Sequence, residues 1–402
     1  MGGIVVVGAG QAGAALVARL RSRGYDGPLT LVGAETVPPY QRPPLTKGYL
    51  TGDIPLERLF LRPTSFYADH NITLRLGEFV TGIDTARRRL RLGPDELAYD
   101  QLALTTGSTP RRLPEHLGGS LGGVYVARDL ADTDAMAPEL VPGRKVLVVG
   151  GGYIGLEAAA VAAKRGLDVT LVEMAPRILQ RVAAPETSDF FRALHQGHGV
   201  RICEGIGLET LVGENGRVAA ARLSDGRELP VDFVIVGVGI VPNVALAEAA
   251  GVVIDNGIAT DAMGRTSDPA IWAAGDCASF PWGAGRLRLE SVQNAIDQAE
   301  LVADNMMGAG RHYAPVPWFW SDQYDVKLQI AGLNSGYDRL IRRDAAPKGL
   351  SFWYFRGDRF LAVDAINDPR AFMVGKRLLE MGRAPSPEAL AAPETDLKTL
   401  LA

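Results

Sequence analysis

Two glycine-rich fingerprints sit in one chain, and that pairing limits the folds open to it more than any other feature. The first copy reads Val5-Val6-Val7-Gly8-Ala9-Gly10-Gln11-Ala12-Gly13, and the second reads Val146-Leu147-Val148-Val149-Gly150-Gly151-Gly152-Tyr153-Ile154-Gly155. In such a motif the first glycine makes a tight turn and the second lets the backbone approach a pyrophosphate. The third lets helix and strand pack closely, while the helix N-terminus faces the anion. One copy would be weak evidence, because glycine turns follow many buried strands. Two copies, each behind a β-branched run and ahead of a helix-compatible stretch, imply two bound dinucleotides and electron movement between them.

The segments around the fingerprints repeat the same order. Periodicity predicts a strand over 4–7, a helix over 12–23 and a strand over 29–32, then a strand over 145–149, a helix over 154–165 and a strand over 169–172. Further buried strands end in small-residue turns at Thr106-Gly107 and Gly239, and another stops at Gly275-Asp276. From about 313 the pattern changes to aromatic, strand-like runs (318–320, 328–330, 352–355, 360–363), followed by a helix near 371–381. The tail beyond Pro385 is expected to pack loosely. The fold class is therefore α/β: two Rossmann-like dinucleotide-binding domains in a glutathione-reductase-like arrangement, plus a C-terminal α+β domain. The expected divisions are a discontinuous first domain over 1–108 and 238–312, a second over 109–237, and a third over 313–402.

Bulk properties exclude several classes. At 402 residues the chain exceeds a single ordinary core, and a net charge of −4 lacks the basic footprint of nucleic-acid binding. No apolar run approaches membrane-spanning length, and a first strand beginning near Ile4 leaves no room for a secretory signal. The two cysteines, Cys203 and Cys277, form no C-x-x-C pair and read as inert thiols of a reducing compartment, so the expected location is cytoplasmic.

Individual side chains sharpen the chemistry. Glu173 directly follows the second strand of the second unit, where a carboxylate bonds the ribose hydroxyls and repels a 2′-phosphate. NADH is thus expected over NADPH, although Arg177 is placed to accept a phosphate. In the first unit the only equivalent acid is Glu35, one position late after Ala34. Asp276 closes a strand and suits the polyol of a flavin, with an N-cap as its bland alternative. The proline-stiffened loop 39–47 carries Arg42 and Lys47, which is either a surface turn or positive charge beside a phosphate and a redox ring. Glu157, inside the second fingerprint helix, is a candidate charge partner for Lys47.

These residues together resemble the FAD-dependent, NADH-using ferredoxin reductases of bacterial oxygenase systems. The resemblance spans nearly the whole chain and is most specific at Pro317-Trp318-Phe319-Trp320-Ser321-Asp322-Gln323-Tyr324. It also rests on Pro43-Pro44-Leu45-Thr46-Lys47, Gly155-Leu156-Glu157, Thr266-Ser267-Asp268-Pro269, Gly275-Asp276-Cys277-Ala278 and Glu290-Ser291-Val292. The disulfide reductases that share the nucleotide fold carry a redox cysteine pair in the early loop, and this chain has none there. The resemblance implies FAD contacts at Ala12, Lys47, Val80, Arg128, Asp276 and Val292, nicotinamide-side carboxylates at Glu157 and Glu290, and Trp320 near the flavin. It departs from the family at Ala34, where a ribose-binding acid is usual, and at Thr105, where alanine is usual.

The function so implied passes electrons from NADH through FAD to a small acidic 2Fe-2S ferredoxin serving a terminal oxygenase, haem or Rieske, by a monomeric reductase. Arg286, Arg288, Arg311, Lys327 and Arg339 are candidates for steering that partner by charge. The rival readings are an NADH oxidase or peroxidase, which would favour a cysteine in the early loop, and a redox-sensing flavoprotein similar to apoptosis-inducing factor.

Overall fold

In the computed structural model, which describes residues 2–345, 349–392 and 394–401, the chain forms two compact units. The first comprises 1–42, 55–109 and 240–315, and the second comprises 43–54, 110–239 and 316–402. The loop segment carrying Lys47 and the C-terminal segment therefore both belong with the second fingerprint.

The first unit is built on a five-stranded parallel sheet ordered Ile271–Ala273, Gln101–Leu104, Ile4–Val7, Leu29–Gly33, Ile72–Leu76. Ile4, Val5, Val6 and Val7 are all buried, as expected of a central parallel strand covered on both faces. Leu16, Val17 and Leu20 of the helix Gln11–Ser22 pack with Ala299, Val302 and Ala303 of the helix Val292–Met306. The unit also carries a small antiparallel sheet, Val80–Asp84, Arg89–Leu92 and Asp95–Ala98, in which Arg89-Leu90-Arg91-Leu92 alternates exposed and buried.

The second unit repeats the parallel plan. Its order is Arg201–Glu204, Asp168–Glu173, Lys145–Val149, Phe233–Val236, Val124–Tyr125. The aromatic C-terminal runs form an antiparallel sheet ordered Trp318–Gln323, Val326–Gly332, Arg359–Ile366, Gly349–Arg356, Arg339–Ala345. Val326, Leu328, Phe352 and Tyr354 of this sheet share one core with Ala159 and Phe191, which is why the two segments form one unit. Its other face buries Trp353 and Val363 against Phe372 and Leu378 of the helix Pro369–Glu380.

Two expectations need correction. The strand Arg339–Ala345 was not anticipated, because Arg-Leu-Ile-Arg-Arg-Asp-Ala reads as polar; it is a sheet edge, where charge discourages further pairing. The tail is not loose: Leu390 and Leu397 are buried, and the Arg343 guanidinium donates to the carbonyls of Leu390, Ala392 and Thr395 at 2.9, 2.7 and 2.6 Å.

Candidate functional sites in the two units

The two fingerprints fold into near-identical cradles. Gly8 has φ +113°, and a β-carbon there would lie 2.2 Å from the Thr105 carbonyl oxygen; one at Gly13 would lie 2.0 Å from the Gly8 oxygen. The second copy matches: Gly150 has φ +107° and a β-carbon would fall 2.5 Å from the Gly237 oxygen, while one at Gly155 would lie 2.0 Å from the Gly150 oxygen. The middle glycines behave oppositely. Gly10 and Gly152 cap their helices without any side-chain hydrogen bond, and a β-carbon at either meets nothing within 4 Å. Each cradle thus closes tightly on itself and leaves its helix N-terminus open on one side, which fits a pyrophosphate.

In the first unit Gly275 is buried with φ +83°, its β-position 3.0 Å from the Ala12 side chain, so the structure brings these two predicted residues together. The Gly275 N–H donates to Gln298 Oε1 at 2.8 Å. The Nε2 of that buried glutamine has no protein partner among the described residues. Asp276 is half-buried and accepts from the Ser108 hydroxyl at 2.8 Å, while its carbonyl accepts from Arg288 Nη1 at 3.1 Å. Thr106 and Gly107 are tied to Asn243: the Thr106 hydroxyl donates to the Asn243 carbonyl at 2.7 Å, and the Asn243 N–H donates to the Gly107 carbonyl at 2.9 Å. Glu35 accepts from Arg42 at 2.6 Å and from the Tyr40 hydroxyl, and Arg42 also covers the Tyr40 ring. Glu290 pairs with Arg288 at 2.6 Å, next to the Ser291 cap of the helix that opens at Val292. Val80 is buried at the head of its strand.

In the second unit Glu173 turns back on its own loop, its oxygens accepting from the N–H groups of Gly151 at 2.7 Å and Ala175 at 2.8 Å. Arg177, the one residue nearby suited to a 2′-phosphate, is committed to Ser188 Oγ at 2.6 Å and to the Ala183 carbonyl at 2.8 Å. The Tyr153 ring packs on Phe319 with centroids 4.8 Å apart, and burial pushes its phenol well up. Ile154 is exposed, Arg128 is half-buried beside the Asp129-capped helix Leu130–Met136, and Gly239 has φ +99°.

The Lys47–Glu157 pair forms within this unit, Nζ to Oε2 at 3.0 Å, with Glu157 buried. Thr46 donates to Oε2 at 3.2 Å and Ser321 donates to Oε1 at 2.8 Å, so the carboxylate is held by three groups from two segments distant in sequence. Thr46 and Ser321 lie within motifs that carry the resemblance but receive no role of their own from it, and Gln298 lies in no motif. Trp320 is half-buried on the strand Trp318–Gln323, its ring 5.6 Å from that of Trp318.

Each of the five candidate docking cations has an acidic partner: Arg286 with Asp255 at 3.9 Å, Arg288 with Glu290 at 2.6 Å, Arg311 with Asp304 at 3.2 Å, Lys327 with Asp322 at 3.0 Å, and Arg339 with Glu388 at 3.5 Å. Among the described residues there is no group of three or more metal-capable side chains, both cysteines are free, and no helix is long and apolar enough to cross a membrane.

The family model for pyridine nucleotide-disulphide oxidoreductases matches residues 2–299, and a reductase C-terminal model matches 318–401. Rhodocoxin reductase of Rhodococcus erythropolis is 42% identical over 403 residues, covering 99% of this chain and 94% of that one. Putidaredoxin reductase of Pseudomonas putida is 41% identical over 412 residues, covering 99% and 96%. Among solved structures, the Rhodopseudomonas palustris ferredoxin reductase superposes with a TM-score of 0.97 at 38% identity and full coverage of both chains. The covalent putidaredoxin reductase–putidaredoxin complex matches with a TM-score of 0.96 at 40% identity, covering 99% of this chain and 98% of that one. With both cradles in place and the likeness running through the C-terminal domain, the chain belongs to the pyridine nucleotide-disulphide oxidoreductase family, among its ferredoxin reductases.

Proposed function

We propose that the protein transfers electrons from NADH through FAD to a small 2Fe-2S ferredoxin. The first unit holds FAD through Gly8, Gly10, Gly13, Ala12, Gly275 and Asp276, and the second holds NADH through Gly150, Gly152, Gly155 and Glu173. Bound FAD would supply the redox chemistry, taking a hydride from NADH and giving electrons up singly. The chain supplies placement and charge. Its helix N-termini hold the pyrophosphates, Asp276 takes the polyol, and Glu173 takes the adenosine ribose. The buried Lys47–Glu157 pair fixes charge on the nicotinamide side of the second unit.

The observation that carries this reading is the extent of the likeness: relatives named as reductases of rhodocoxin, ferredoxin and putidaredoxin match over 99% of the chain, including the C-terminal segment. The early loop has no cysteine, which disfavours a disulfide or peroxide reductase. An acidic 2Fe-2S partner, a downstream haem or Rieske oxygenase, a monomeric state and a cytoplasmic location complete the proposal; two free thiols support a reducing compartment. The test is NADH-driven reduction of putidaredoxin followed by cytochrome c. Turnover that needs the ferredoxin and exceeds oxygen consumption many-fold is expected. Oxygen consumption unaffected by ferredoxin would favour the oxidase reading instead.

A further inference from the structure

A line of buried hydrogen bonds leaves the Lys47–Glu157 pair and runs through the second unit to its surface. The Ser321 hydroxyl donates to Glu157 Oε1 at 2.8 Å, and the Gln323 amide nitrogen donates to Ser321 Oγ at 3.1 Å. Gln323 Oε1 lies 2.8 Å from His195 Nε2, and His195 Nδ1 lies 3.3 Å from the Tyr324 hydroxyl. Ser321 and His195 are fully buried, Gln323 is 1% exposed and Glu157 4%. At the outer end the exposed His198 ring stacks on Tyr324, centroids 3.7 Å apart and 14° from parallel. The links come from the helix Tyr153–Lys164, the strand Trp318–Gln323 and the helix Pro185–Gly197.

The chemistry of the groups allows one order of donors. An ionised carboxylate only accepts, so Ser321 donates to it and in turn accepts from the Gln323 amide nitrogen. The amide oxygen then faces His195, whose Nε2 must carry the proton. Burial lowers the His195 pKa and keeps the ring neutral, which leaves Nδ1 to accept from Tyr324. An amide in the middle does not relay protons as a hydroxyl or imidazole does. The line therefore orients and does not conduct.

We propose that Gln323 and His195 are positioning residues for the Lys47–Glu157 pair: they fix the Ser321 hydroxyl as a donor to Glu157 Oε1 and so hold Oε2 toward Lys47. This rests on the assignment of Glu157 to the nicotinamide side of the reaction.

The experiment combines stopped-flow reduction of the holoenzyme by NADH with ¹⁵N NMR of its imidazoles, of which the chain has five. Gln323→Leu, which can pair with neither neighbour, is expected to slow flavin reduction about tenfold with NADH affinity within about twofold, because the Ser321 hydroxyl is then no longer held as a donor to the Glu157 carboxylate. In a Glu157→Gln background the same change is expected to have almost no effect, because the two act as a unit. His195→Gln, which keeps an N–H donor for Gln323, is expected to retain most of the rate that His195→Leu loses. Equal losses from Gln323→Leu in both backgrounds would overturn the proposal. In the NMR arm, Glu157→Gln is expected to move the His195 nitrogen shifts while His70 and His312 stay put; unchanged His195 shifts would also overturn it. Wild-type flavin reduction in Glu157→Gln with shifted His195 signals would instead remove the catalytic assignment of Glu157 and leave the positioning line standing.

Discussion

Glu173 accepts the backbone N–H of Gly151 at 2.7 Å, so the acid at the end of the second strand is anchored to the middle of the glycine turn it serves. Its other oxygen accepts from Ala175 at 2.8 Å. Carboxylate and turn are therefore placed by each other. The nearby guanidinium of Arg177 is spent on Ser188 and Ala183 and is not left to meet a phosphate.

Cofactor choice follows from that arrangement. NADH is expected over NADPH, since a 2′-phosphate would meet the fixed negative charge of Glu173 while the Arg177 guanidinium is engaged elsewhere. Glu173→Ala should lower kcat/KM for NADH about 10- to 100-fold, as losing a charged hydrogen bond implies, while affecting NADPH far less. The check is kcat/KM with both cofactors for wild type and variant. Similar wild-type values would count against the role given to Glu173.

Flavin retention is expected to depend on Asp276 in the same way. Its side chain accepts from Ser108 at 2.8 Å and its main chain is held by Arg288, so the carboxylate is fixed at the end of its strand. Asp276→Ala removes one half-buried charged acceptor, worth about 1–3 kcal/mol, and should weaken FAD binding about 5- to 150-fold. The flavin-to-protein ratio after gel filtration reads this directly. A variant that elutes with full flavin content would show that the carboxylate is not a ligand.

Much of the fold was legible because its strands and helices are long, periodic and punctuated by glycine. The expected strand over 145–149 and the observed Lys145–Val149 coincide, and the first helix differs from its expected bounds by one residue at each end. What stayed hidden was made by tertiary contact. The edge strand Arg339–Ala345 pairs on one side only, so its sequence carries no burial signal. The three groups on Glu157 come from positions 46, 47 and 321, and no local pattern joins them. Glu35 and Arg42 each read as a cofactor ligand, and their pairing with each other at 2.6 Å is a contact that no sequence pattern announced.

The docking cations illustrate the same limit and change an expectation. Read in sequence, Arg286, Arg288, Arg311, Lys327 and Arg339 suggested electrostatic steering of the ferredoxin. Arg286, Arg288, Lys327 and Arg339 each have a carboxylate partner, so their field at a distance is largely cancelled, while Arg311 shares Asp304 with Arg19 and Arg23 and is held as part of that cluster. Neutralising any one of them should change kcat/KM for a ferredoxin by less than about threefold, in line with exposed ion pairs. The measurement is ferredoxin-dependent turnover of the five single variants at low ionic strength. A loss above tenfold at any of them would restore that residue as a docking contact.

Asp304 makes a prediction about stability. Its carboxylate is 2% exposed and ion-pairs with Arg19 at 2.8 Å, Arg23 at 2.9 Å and Arg311 at 3.2 Å, joining the helix Val292–Met306 to the end of the helix Gln11–Ser22. Hydrogen bonds from Arg19, and then from Arg23, hold its pKa far below the usual carboxylate range against the opposing effect of burial. A depressed folded-state pKa contributes stability that is fully present above the unfolded value, about 3.9, and is lost as pH falls toward the folded one. Asp304→Asn removes the carboxylate that Arg19, Arg23 and Arg311 share and should cost about 1–3 kcal/mol near neutral pH, because the guanidiniums left behind reach solvent and Arg19 keeps Glu300 at 3.7 Å. Urea unfolding of wild type and variant at pH 7 and pH 3, followed by tryptophan fluorescence, tests both parts. The gap between the two proteins should be large at pH 7 and should shrink at pH 3, where the wild-type stabilisation is already eroding. A gap that does not change with pH would mean that Asp304 stabilises the helix pair through packing and not through its charge.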